Sequence, residues 1–186
     1  MQKSARTRSA HWPVIALAAA LAVIGAIAIP GGSGPAHAQL RGTLSGPSFA
    51  ESAGLLIRFQ QQAGDLAFTR SGREDIRSFA KDGGSTYQTM LVDLRAALGR
   101  ADGVITVPEI LDGKHETLIE RLKNARGTEF DALYIQAQID VLNAAAGVFG
   151  AYSRDGDQTA LKDFADKHLP FLNHQLEAAR SLQIKT

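Results

Sequence analysis

Three histidines stand where their spacing could support chemistry. Asp112-x-x-His115 puts a carboxylate and an imidazole on one helix face, and His174-x-x-Glu177 repeats that spacing in reverse order. His168 has Phe164, Ala165, Phe171 and Leu172 at the neighbouring helical positions, so any acid partner must come from another helix. Metal sites in helical bundles gather inward carboxylates with Glu-x-x-His pairs from facing helices, and this chain contains no such pair. His115, His168 and His174 are the candidate ligands for iron, manganese or zinc. Each has a plainer reading beside it. Asp112 starts a helix with His115 packed on its stripe, His168 is a core or boundary imidazole, and His174 is a surface residue.

Other chemistry finds less support. There is no cysteine, no Gly-x-Ser-x-Gly elbow and no glycine-rich loop between a strand and a helix. Asp155-Gly156-Asp157 lacks the third acid and closing glutamate of a calcium loop, and fits a helix end followed by an N-cap Asp. Tyr87, Tyr134 and Tyr152 fall on apolar stripes, where a phenol needs only a partner at the rim. Gln138 and Gln175 sit on or beside such stripes. They bond each other, or Tyr87, across the bundle, or else lie at a wet boundary. No catalytic set is complete, and the residues call for no cofactor.

The elements that must carry these side chains are helices. Apolar positions at helical spacing run through Leu55, Leu56, Phe59, Ala63 and Leu66, and through Ile76, Phe79, Ala80, Tyr87, Leu91, Leu94 and Leu98. A shorter stripe holds Leu111, His115, Leu118 and Leu122. Two long ones follow: Phe130, Leu133, Tyr134, Ala137, Val141, Ala144, Ala145, Val148 and Tyr152, then Leu161, Phe164, Ala165, His168, Leu172, Leu176 and Ala179. Ser48-x-x-Glu51, Ser71-x-x-Glu74, Thr106-x-x-Glu109 and Thr128-x-x-Asp131 have the form of capping boxes. Residues 99–106 read as a surface loop, and Pro170 should kink the last helix. No segment alternates with period two. Four long stripes and a short one predict an all-α four-helix bundle with a short additional helix.

The chain's first residues read as a targeting segment. Lys3, Arg6 and Arg8 precede an apolar run from Val14 to Ile29, and a Gly/Ser/Pro stretch leads to Ala36-His37-Ala38. These are the parts of a signal peptide in order, predicting cleavage between Ala38 and Gln39. The organisation is then 1–38 signal peptide, 39–47 linker and 48–183 bundle. An uncleaved membrane tether is the rival reading. Three of the 20 Lys and Arg and none of the 19 Asp and Glu precede residue 39, leaving 17 against 19 and a net charge of −2. That balance argues against a nucleic-acid partner. Hydrophobic residues at 45% and charged residues at 21% are ordinary for a globular chain, and without cysteine it must hold together by packing.

Phe79-Ala80, Val107-Pro108, Phe130-Asp131-x-x-Tyr134-Ile135, Leu161-Lys162-x-Phe164-Ala165 and Leu169-Pro170-x-Leu172, in this order and spacing, resemble the domain-of-unknown-function 4142 family. The resemblance covers about residues 48–183. It implies a ferritin-like bundle and export to the cell envelope, with no established reaction. Family members usually carry histidines at positions that fall here on Tyr87, Leu142 and Gln175, so a metal or proton site built on them would be lost.

Together these observations predict an exported, periplasmic or secreted bundle with a binding or structural role and no enzymatic one. It would not insert stably in the membrane after cleavage, and its partner would be another envelope protein. A ferritin-like metal-binding or redox-protective protein with a degenerate site is the alternative.

Overall fold

The computed structural model describes residues 45–184, all of whose regular elements are helices. The expected cleavage at Ala38–Gln39 lies outside the described residues. In chain order the helices are α1 (Gly46–Arg70), α2 (Glu74–Leu98), α3 (Gly113–Asn124), α4 (Gly127–Asp155) and α5 (Thr159–Ile184). The protein is an all-α helical bundle.

Side-chain contacts fix the topology. Three residues join α1 to α2 and three join α4 to α5, so each pair is an antiparallel hairpin. At one end of the bundle Phe49 of α1 stacks on Tyr152 of α4, with ring centroids 4.0 Å apart. At the other end the Ser71 hydroxyl donates to Asp131 Oδ1 at 2.5 Å. Helices α1 and α4 are therefore antiparallel, and α2 runs parallel to α4. The chain must travel back along the bundle between them.

That return is laid along α1. Arg58 Nε donates to the Pro108 carbonyl at 2.6 Å, and further down Arg70 Nη1 donates to the Lys123 carbonyl at 2.5 Å. Gly54 makes room for it. A Cβ at that position would lie 2.0 Å from Val107 Cγ1, far inside van der Waals contact. The loop is longer than residues 99–106 and runs to Asp112, and α3 follows, burying Ile119 and Leu122.

None of the four expected capping boxes caps a helix. Ser45 caps α1 by accepting from the Ser48 N–H, with Pro47 in the first turn where its missing N–H costs nothing. Helix α1 thus begins two residues before residue 48, the expected start of the bundle. Ser71 ends α1, and its hydroxyl is spent on Asp131 and the Arg73 N–H. Thr106 is exposed in the return passage, and Thr128 lies inside α4. Nor does Asp157 open α5; it accepts from the Tyr152 hydroxyl instead. The cap that does hold besides Ser45 is Asp112, on α3.

The core follows the stripes most closely in α5, where Leu161, Phe164, Ala165, His168, Leu172, Leu176 and Ala179 are all buried. Helix α5 continues through Pro170, which is exposed. In α2 the buried line is Ile76, Gly83, Tyr87, Met90, Leu94 and Ala97, with Phe79, Ala80, Leu91 and Leu98 at its edges. Helix α4 buries Asp131, Ile135, Gln138, Leu142 and Phe149 beyond its expected stripe, and leaves Ala144 exposed. Among the described residues no helix is long and apolar enough to cross a membrane.

Two substitutions test this packing. Leu172→Ala, at a fully buried position, should cost about 2–5 kcal/mol in chemical denaturation. Gly54→Ala should cost about 1–3 kcal/mol, because Val107 must be displaced from α1. A loss below about 0.5 kcal/mol in either would mean that the element concerned faces solvent.

Candidate functional site

The three histidines are placed apart in the bundle, and only His174 is exposed while His168 is buried. His115 lies on α3 against α1, with its ring centroid 5.6 Å from that of Phe59. Its backbone N–H donates to Asp112 Oδ1 at 2.8 Å, and its ring Nδ1 lies 2.6 Å from the same oxygen. Burial pushes the Asp112 carboxyl up, but these hydrogen bonds together hold it below the ordinary carboxylate range. The pair is therefore a helix cap whose cap residue also orients the imidazole. It stands at the mouth of a 230 Å³ pocket between α1, α3 and α4, with Leu55, Leu56, Val141 and Phe149 in the wall.

His168 does find its acid on another helix. Its Nε2 lies 2.8 Å from Asp93 Oδ2 of α2, and Lys167 Nζ donates to the same oxygen at 2.8 Å. The ring is buried against Phe164, centroids 4.8 Å apart. Burial lowers the pKa of His168 below its ordinary value, and the Asp93 carboxylate only partly opposes that. The Lys167 ammonium, assisted by His168 and resisted by desolvation, holds Asp93 below its own ordinary value. His174 is exposed on α5, as is Glu177. Among the described residues no three or more His, Asp or Glu side chains are grouped so as to hold a metal ion.

Each of the four long helices also buries a polar, uncharged residue. Gln138 of α4 is 0% exposed, and neither its amide oxygen nor its nitrogen has a hydrogen-bond partner. It makes no bond to Gln175 or Tyr87, and it does not lie at a wet boundary. Tyr87 of α2 is 3% exposed with its hydroxyl unpartnered. Burial, with a smaller contribution from Tyr134, raises its pKa far above the ordinary phenol value, so it stays protonated. Gln175 of α5 is buried beside it: a Cβ on Gly83 would stand 3.2 Å from Tyr87 Cε2 and 3.5 Å from Gln175 Oε1. Helix α1 adds Gln60, 5% exposed, with its Nε2 unpartnered. The apolar pattern of α1 gives no sign of Gln60, since it follows Phe59 directly and that helix is buried on more than one face.

The His168–Asp93 pair generates a pH dependence. The folded pKa of His168 lies below the ordinary 6.5, so the unfolded chain takes up this proton first. Its contribution to stability is complete above that ordinary value and is lost as pH falls through the lowered one. Asp93, also lowered, should add a second loss further into acid, below its ordinary 3.8. His168→Gln should flatten the first limb of a denaturation-midpoint profile and shrink the second only in part, because Lys167 still holds Asp93. An unchanged first limb would show that another group controls it.

Searches of curated proteins and of solved structures return no match to this chain. A family model does match, the domain of unknown function (DUF4142), over residues 32–182. That span takes in every helix of the bundle up to the last residues of α5, and the chain belongs to that family.

Proposed function

We propose that this protein is an exported, periplasmic helical bundle with a non-enzymatic binding or structural role in the cell envelope. Export is supported by the basic segment, apolar run and Ala36-His37-Ala38 that precede the bundle. The role is supported by one observation above the others: the groups best suited to chemistry are engaged in holding helices together. Asp112 caps α3, Asp93 joins α2 to His168 on α5, Asp131 joins α4 to the end of α1, and Tyr152 bonds Asp157 across the α4–α5 turn. A bundle so arranged offers faces and grooves to a partner, and that partner would be another envelope protein.

A second reading rests on the topology. Two antiparallel hairpins joined by one connection that runs the bundle's length are the arrangement of ferritin-like folds, whose interiors carry metal between facing helices. On that reading the protein is a metal-binding or redox-protective bundle that uses His115, His168 and His174 with nearby acids, and holds iron, manganese or zinc.

Two measurements on untagged protein from its native compartment decide between these readings. N-terminal sequencing should start at Gln39, whereas an intact N-terminus would favour a membrane tether. Metal analysis should find less than about 0.1 metal per chain, with no thermal shift on adding iron, manganese or zinc. Near-stoichiometric metal would establish the second reading in place of the first.

A further inference from the structure

Apart from Arg73 Nη1 at the polar end, the buried side-chain atoms without a partner belong to Gln60, Tyr87 and Gln138, which lie near one level of the bundle. Helices α1 and α4 are held together near residues 49 and 152 at one end and near residues 71 and 131 at the other. With the same rise per residue on both helices, the midpoint of α1 at Gln60 falls within about one turn of Gln138. Gln60 also shares a groove with Ala80, Gly84 and Gln88 of α2, which sets it level with Tyr87. Gln175 Oε1 and the Tyr87 ring both face Gly83, each within 3.5 Å of where a Cβ would stand. Each of the four long helices thus contributes one polar, uncharged residue to the same layer, and three of the four carry buried atoms without a partner.

We infer that this layer is a binding site for a small, uncharged molecule that both donates and accepts hydrogen bonds, reached from the groove between α1 and α2. The donors are Gln60 Nε2, Gln138 Nε2 and the Tyr87 hydroxyl; the acceptors are Gln138 Oε1, Gln175 Oε1 and the same hydroxyl. A buried water molecule takes about three such partners, and a primary amide or small alcohol takes a similar set. Divalent cations do not suit it, because none of the four residues is a carboxylate or an imidazole and hard cations are held by charged oxygen. The route is the 470 Å³ groove, whose lining includes Gln60, Gly64 and Gly84. A Cβ on Gly84 would meet nothing within 4 Å, so that wall stands open. Gln60 connects the two, lining the groove while its Nε2 is buried.

This deepens the binding reading above and rests on it, but its test is separate. A mature N-terminus other than Gln39 would overturn export and leave the layer untouched. Oxygen-17 relaxation dispersion counts long-lived internal waters, and native mass spectrometry detects a retained organic molecule. Both would be run on the protein as it is purified from its own cells. Either on the order of one to three internal waters or a small neutral adduct is expected. Gln138→Leu should abolish that signal, and Gln60→Leu, nearer the groove, should abolish or sharply weaken it without altering the buried centre of α4. Waters alone identify the occupant as solvent, and an adduct identifies it as an organic ligand. A signal that survives both substitutions, or the absence of both signals from the unsubstituted protein, overturns the proposal.

Discussion

The return passage from α2 to α4 is the constraint on which the rest of the bundle depends. Two hairpins whose second and third long helices are parallel need a connection as long as the bundle itself, and such a connection must be tied down or it adds only chain entropy. Here α1 carries it. Gly54 lets Val107 lie against the helix, Arg58 and Arg70 hold two carbonyls about three helical turns apart, and Asp112 starts α3 in time to bury Ile119 and Leu122. Helix α3 packs on α1 beside α4, where a 230 Å³ pocket remains between the three helices. The other side, towards α2, is left with a groove lined by Gln61, Asp65, Lys81 and Gln88.

The two ends of the bundle are secured by different chemistry. At one end Phe49, Phe149, Tyr152 and Phe164 form a cluster, with Tyr152 sending its hydroxyl out to Asp157. At the other end the contacts are polar: Ser71 to Asp131, and Arg73 to both Asp75 and the Leu182 carbonyl. Aromatic area supplies most of the energy at the first end. At the second end, directed bonds between the close of α1, α4 and the close of α5 set register, because a buried carboxylate such as Asp131 is tolerated only where its partner is.

Helix count and the face of α5 were legible in the sequence, since that helix buries a single unbroken stripe against two neighbours. In α1 and α4 the stripe was harder to place. Both helices are flanked by elements on more than two sides, so Phe49, Ile57, Leu142 and Phe149 are buried although they lie off the simplest apolar line. The capping boxes misled for a related reason. A Ser or Thr three residues before an acid can cap a helix, but tertiary partners compete for the same hydroxyl, and Ser71 is taken by Asp131 from 60 residues away. Spacing placed Asp112 and His115 together correctly because their contact is local. It could not supply Asp93 for His168, and it could not reveal Gln60, which follows Phe59 on a helix buried on more than one face.

The buried atoms of Gln60, Tyr87 and Gln138 weigh on how the bundle is specified. Each buried donor or acceptor without a partner costs about 1–3 kcal/mol, so four such atoms across Gln60, Tyr87 and Gln138 represent a large share of a small domain's net stability. Leucine at these positions would remove that cost and add apolar contact. A dry layer of this kind would therefore be the first feature that selection for stability alone replaced, while a satisfied one holds four helices to a single vertical register. The residue types fit that second condition. Neither Tyr87 nor Gln175 changes charge in the physiological range, since burial keeps the Tyr87 phenol protonated and an amide does not titrate. A layer built from amides and a phenol can order its occupant by direction of hydrogen bonding without drawing a charge into the core.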